Sequence, residues 1–228
     1  MGVFKKAAVA LILIAFSQGG LAQGRLSYWE FGPFVGTLSS SSEIATDPIP
    51  NIFREARPQI GVQAEYFFGP YIGIGGNVNL GWIYAADENH TNVRRGLEVR
   101  SSLATAELHL TVNLWSYGRF RRATHWVPYF ALGGGVAAVQ TYNYGSQYTP
   151  SNTTFTEGTT MNGILNFGIG AKFKLSLTQG LAIELNGSIM HSDRLEGFRY
   201  DGVENAPDIY GGLRVRYSFM SILKRGTY

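Results

Sequence analysis

Period-two alternation in eight segments, joined in turn by long polar stretches and short connections, predicts an all-β chain closed as an eight-stranded antiparallel up-and-down barrel. A third observation gives that barrel its sidedness. Glycines share a strand face with the charged and amide residues, opposite the aliphatic ones.

The segments follow in order. Residues 28–37 alternate Trp29, Phe31 and Val35 with Glu30 and Gly32. Residues 58–68 set Ile60, Val62, Ala64, Tyr66 and Phe68 against Gly61, Gln63 and Glu65. The clearest case is 71–84, with Ile72, Ile74, Val78, Leu80, Trp82 and Tyr84 opposite Gly73, Gly75, Asn77, Asn79 and Gly81. Residues 104–114 place Ala104, Ala106, Leu108, Leu110, Val112 and Leu114 against Thr105, Glu107, His109, Thr111 and Asn113. In 129–142, Phe130, Leu132, Val136 and Ala138 oppose Gly133 and Gly135. Residues 165–177 set Leu165, Phe167, Ile169, Ala171, Phe173 and Leu175 against Asn166, Gly168, Gly170, Lys172 and Lys174. In 181–191, Ile183, Leu185 and Ile189 alternate with Glu184, Asn186 and Ser188. Residues 209–220 close the set, with Leu213, Val215, Tyr217 and Phe219 against Gly212, Arg214, Arg216 and Ser218.

Polar stretches 38–57, 86–98, 143–161 and 192–208 alternate with the connections 69–70, 116–126 and 178–180. An even strand number with long loops at one end and short turns at the other is the outer-membrane pattern; only the basic turn 116–126 is longer than that pattern prefers.

Ahead of the first strand, Lys5 and Lys6 precede an apolar run over 7–16, and Gly20-Leu21-Ala22 offers small residues for cleavage. The run is roughly half the twenty residues a membrane helix needs. A signal peptide over 1–22 and a barrel domain over 23–228 are therefore expected. The chain has no cysteine, which excludes disulfides, thiolate catalysis and Cys-based zinc sites. A net charge of +3, part of it in the leader, gives no argument for nucleic acid.

A soluble barrel would alternate too, with its apolar side inward. The crowded concave interior of a narrow barrel needs small residues, whereas glycine on a solvated outer face only weakens a strand. The glycine-rich polar face therefore points inward and the apolar face meets lipid. Trp29, Tyr66, Trp82, Tyr84 and Tyr217 fall toward strand ends, where aromatic girdles belong. The expected location is the cell outer membrane, with the bilayer and lipopolysaccharide as surroundings.

The inward faces carry Glu30, Glu65, Glu107 and Glu184 against Lys172, Lys174, Arg214 and Arg216, with His109 beside them. Four carboxylates and four cations suggest a salt-bridge network plugging the lumen. Arg214 and Arg216 are expected near Glu30, and Lys172 and Lys174 near Glu184. Acid–base catalysis or an ion path is the other reading of these carboxylates, but paired charges are what any polar lumen must contain. No serine at hydrogen-bond spacing accompanies His109 on its strand.

Elsewhere, His191-Ser192-Asp193 sits at a strand rim, though adjacent strand residues face opposite ways. Asp87-Glu88-Asn89-His90 offers oxygen ligands to a hard cation but reads more simply as a solvated loop tip. Arg119, Arg121, Arg122 and His125 in the basic turn are candidates for contact with anionic headgroups or an acidic periplasmic partner; a charged rim that keeps the turn out of lipid is the plainer reading. Asn89, Asn152 and Asn186 begin tripeptides of the glycosylation pattern, discounted in a bacterial barrel.

Three stretches go beyond generic patterning: Arg57-Pro58-Gln59-Ile60-Gly61, Arg95-Gly96-Leu97-Glu98-Val99-Arg100-Ser101, and Val127-Pro128-Tyr129-Phe130-Ala131-Leu132-Gly133-Gly134-Gly135. In this order they resemble the PorG-like family of small outer-membrane barrels of Bacteroidetes, over roughly Trp29 to Val139. The resemblance implies a non-enzymatic barrel that accompanies type IX secretion and docks on a periplasmic secretion-ring protein. It implies no catalytic residue to carry over, and no cofactor or metal is expected. The third long loop departs from the family's pattern, and the tail runs on past Phe219. The alternatives are a hydrolase acting on outer-membrane lipid and a narrow pore.

Overall fold

The computed structural model describes residues 27–41, 55–86, 98–144, 153–155, 158–190, 198–200 and 208–221. The expected leader, the 87–90 tip and the 191–193 triplet lie outside the described residues. Among the described residues ten strands follow one another: β1 (Tyr28–Ser41), β2 (Arg57–Phe67), β3 (Ile72–Ala86), β4 (Glu98–Asn113), β5 (Trp126–Tyr144), β6 (Thr153–Phe155), β7 (Gly158–Lys174), β8 (Gln179–Met190), β9 (Phe198–Tyr200) and β10 (Asp208–Ser221).

Eight of them close into a barrel in the order β1, β10, β8, β7, β5, β4, β3, β2, each pair antiparallel. β6 and β9, from two of the long connections, pair with each other in a separate ribbon, Thr154 opposite Arg199. That ribbon is absent from the sequence reading, because three-residue strands are too short to show a period. Several barrel strands also run further toward the long connections than the alternation indicates. β4 starts at Glu98 rather than near 104, and β7 at Gly158 rather than near 165. Backbone pairing continues there toward the rim, where the outer face mixes polar side chains such as Ser102 and Gln140 with apolar ones.

Side-chain phase is as the alternation requires. Leu108 is 72% exposed on the outer wall, along with Val62, Leu132, Leu165 and Leu185, whereas Glu65 and Lys172 are 1% exposed inside. An apolar surface this continuous does not persist in water. A closed sheet leaves no unpaired edge, which is the condition for β-structure in lipid. The outer wall is therefore a lipid-facing wall. Near the short-turn end it carries an aromatic girdle: Trp29 packs on Tyr66, Tyr66 edge-on to Phe68, and Tyr217 edge-on to Phe219.

The basic turn between β4 and β5 explains its own length. It folds back over the barrel mouth: the Tyr117 N–H donates to Pro70 O (3.3 Å), and Tyr117 is buried with Tyr28, Phe67, Val127 and Met220. Gly118 has φ +132°, and a side chain there would meet the Tyr28 ring at 2.6 Å, so only glycine allows this approach. Burial, with the Glu30 carboxylate adding to it, pushes the Tyr117 phenol well up, so it stays neutral in place.

Candidate functional site

Among the described residues, the lumen holds the densest cluster of buried charged side chains. β1 and β2 place Glu30 directly opposite Glu65, a like-charge pair that destabilises a sheet unless cations intervene. Two do. Lys172, from the far wall, sends Nζ to Glu30 Oε2 (3.0 Å) and Glu65 Oε2 (3.1 Å). Arg216 Nη2 lies 3.8 Å from Glu30 and 3.7 Å from Glu65. Glu65 also accepts from Thr111 Oγ1 (2.5 Å) and lies 2.9 Å from His109 Nε2, while Glu30 accepts from Ser218 Oγ (3.0 Å).

A second tier lies toward the long connections. Glu107 accepts from Thr105 Oγ1 (2.9 Å), Asn77 Nδ2 (3.1 Å) and Asn166 Nδ2. Glu184 accepts from the Tyr129 hydroxyl at 2.7 Å. Arg214 stands between the two carboxylates, 4.0 Å from Glu107 and 3.8 Å from Glu184, and donates through Nε to Gln59 Oε1 at 3.2 Å. Aromatic faces add to the cation sites: Lys172 Nζ is 4.3 Å from the Phe67 ring centroid, and Arg214 is 5.1 Å from that of Phe34.

Room for these groups comes from glycine on the adjoining strand. Glu65 faces Gly75, Glu107 faces Gly135 and Glu184 faces Gly170, while His109 faces Gly133. A Cβ on Gly75 would overlap the Glu65 side chain.

Eight of the nine candidate lumen residues thus come together. Lys174 does not. Its Nζ donates instead to the carbonyls of Gly118 (2.6 Å) and Arg121 (2.5 Å), clamping the basic turn from outside the charge cluster. The partners also differ from expectation: Lys172 crosses to Glu30 and Glu65, and Glu184 takes Arg214. Lys172 stands opposite Ala182, nearer the short-turn end than Glu184, and the narrow bore lets its long stem reach the opposite wall. Arg214, expected beside Glu30, turns to the upper tier.

Apolar side chains cap both tiers. Tyr28, Phe67, Tyr117, Val127 and Met220 close the short-turn end; Leu38, Ile83, Leu103, Val139, Ile164, Met190 and Tyr210 cluster toward the other. These caps escaped the sequence reading, although their phase was available: Phe67, Val127 and Tyr210 share the face of the carboxylates and glycines.

In the basic turn, Arg121, Arg122 and His125 are exposed, and Arg119 Nη1 donates to Met220 O at 3.2 Å. With Lys174 on the turn's carbonyls, the exposed cations stand on a fixed frame. Asn186 is buried against the lumen and unavailable to any modifying enzyme in the folded barrel.

No protein-family model and no curated protein matches the chain. Among solved structures, the chain is similar to Neisserial surface protein A, at 11% identity and a TM-score of 0.45, covering 86% of this chain and 99% of that one. It is similar to the N-terminal β-barrel domain of Pseudomonas aeruginosa OprF, at 17% identity and 0.42, covering 86% and 100%. The outer membrane protein OprG of the same organism gives 12% identity and 0.39, covering 89% and 97%. Likeness at this level adds nothing to what strand pairing and wall polarity already establish.

Proposed function

We propose that this chain is a non-enzymatic outer-membrane β-barrel with a structural and docking role, an accessory to type IX protein secretion, and that the basic turn is its contact with an acidic periplasmic secretion-ring protein. One observation carries the reading: the lumen is filled by paired charges between two apolar caps. A sealed lumen gives a solute no route and a substrate no access to its carboxylates or to His109, which leaves the surface as the place of action. The turn bearing Arg121, Arg122 and His125 is braced from within by Lys174 and by the Arg119–Met220 hydrogen bond. The secretion role follows from the resemblance of the three motif stretches, and the turn's charge and its end of the barrel agree with it.

A photo-crosslinker replacing Arg122 in the native membrane is expected to capture a periplasmic ring component. Capture of lipid alone would remove the docking role and leave a structural barrel.

A further inference from the structure

A trough on the lipid-facing wall runs along β4 from the long-connection rim toward the barrel's waist. Its floor is Ser102, Ala104 and Ala106, small outward side chains below Arg100, and exposed Leu108 closes the lower end. One bank is formed by Trp82, Leu80 and Val78 of β3, in register with the floor, and the other by Gln140, Ala138 and Val136 of β5. A hollow of about 570 Å³ at the rim abuts one of about 300 Å³ below it, the two sharing Trp82 and Ser102. The next row down, Val78, Ala106 and Val136, lies at the edge of a separate hollow that runs round the wall toward Phe31 and Phe219. From Arg100 to Ala106 the strand rises ~20 Å. Tilted by ~40°, that is a descent of ~15 Å, half the ~30 Å hydrocarbon core. The trough spans one leaflet.

The rim end is cationic. The Arg57 guanidinium lies 4.4 Å from the Tyr84 ring centroid, and Arg100 lies 5.9 Å from the same ring. Glu98 holds Arg100 through Nε at 2.8 Å and Nη2 at 2.6 Å, orienting the guanidinium while offsetting part of its charge. Trp82 and Tyr142 stand exposed on either side at interfacial depth.

We propose that this trough binds a phosphorylated glycolipid of the outer leaflet, with a headgroup phosphate at Arg57 and Arg100 and one acyl chain lying along Ser102, Ala104 and Ala106. Arginine is suited to phosphate through its planar donor fork, and an apolar furrow one leaflet deep beneath two arginines matches a molecule with an anionic head and an acyl tail. The assignment rests on the outer-membrane reading, which sets the long connections in the outer leaflet.

The test is native mass spectrometry of the purified full chain, exchanged into micelles containing bisphosphorylated lipid A, its dephosphorylated form or phosphatidylethanolamine. Heat-modifiable gel mobility of each sample reports separately whether the barrel has folded, so failure of the barrel reading and failure of the trough are distinguishable. Wild type is expected to retain bisphosphorylated lipid A selectively. Arg57→Gln and Arg100→Gln should each lower retention about fivefold, and Glu98→Gln should raise it. Ala104→Trp, whose side chain would fill the furrow on a wall already facing detergent, should displace the lipid while leaving the barrel folded. Equal retention of the three lipids by folded wild type, retention unchanged in the arginine and Ala104 variants, or a second copy of the chain in place of lipid would each overturn the proposal.

Discussion

Lys172→Met is the most informative single change, because it keeps the aliphatic stem beside Phe67 and removes only the ammonium. That ammonium sits 3.0 and 3.1 Å from two carboxylates in a lumen where all three side chains are at most 2% exposed. At an effective dielectric constant of about 20, each contact is worth about 5 kcal/mol of attraction. Desolvation of the ions, several kcal/mol each, offsets most of it. Removal leaves Glu30 and Glu65 facing each other with Arg216 alone between them, at 3.7–3.8 Å. Breaking a buried pair in this way costs about 3–5 kcal/mol. Urea titrations in lipid vesicles, followed by gel mobility, should show that loss. The double variant Lys172→Met/Glu30→Gln removes one charge of each sign and should recover about half of it or more. A single-variant loss below about 1 kcal/mol, or a double variant less stable than the single, would refute the reading of the lumen as a charge-paired core.

Gly135→Ala puts a Cβ against the Ala106 carbonyl, whereas Gly163→Ala meets nothing within 4 Å; urea unfolding should show a loss of about 1–3 kcal/mol for the first and almost none for the second. Lys174→Ala frees the carbonyls of Gly118 and Arg121, and tryptic cleavage after Arg121 or Arg122 of the folded barrel should quicken; unchanged protection would mean that the clamp is unimportant. In planar bilayers the wild-type chain should not conduct ions, and Tyr117→Ala should stay silent as well, since the charge tiers and the second cap remain. Stable unitary conductance by the wild type would contradict the sealed lumen.

Alternation alone set the phase of every barrel strand, because a one-residue slip would have put Glu65 or Glu107 into lipid and Val62 or Leu108 into the bore. Strand ends were less legible. Toward the rim the outer residues are no longer uniformly apolar, so Glu98–Leu103 and Gly158–Ile164 carried little period. The lumen inventory was readable from phase, but pairing within it was not. Neighbouring strands suggested Lys172 with Glu184, whereas a long side chain in a narrow bore reaches the opposite wall as readily as the adjacent one. Lys174 stood in the same phase and still left the cluster, because its position at the strand's end brings it to the carbonyls of a turn that no periodic pattern describes. Tyr117 was hidden for the same reason.

The folded-back turn has a topological consequence. A barrel of this kind is completed where its terminal strands meet, and β1 and β10 share no covalent connection at that join. Tyr117 rests beside residues from both of them, Tyr28 and Met220, and Arg119 holds the Met220 carbonyl. A segment from mid-sequence therefore bolts the join, and it can lock only after both terminal strands have arrived. Mouth sealing in this way depends on sheet closure.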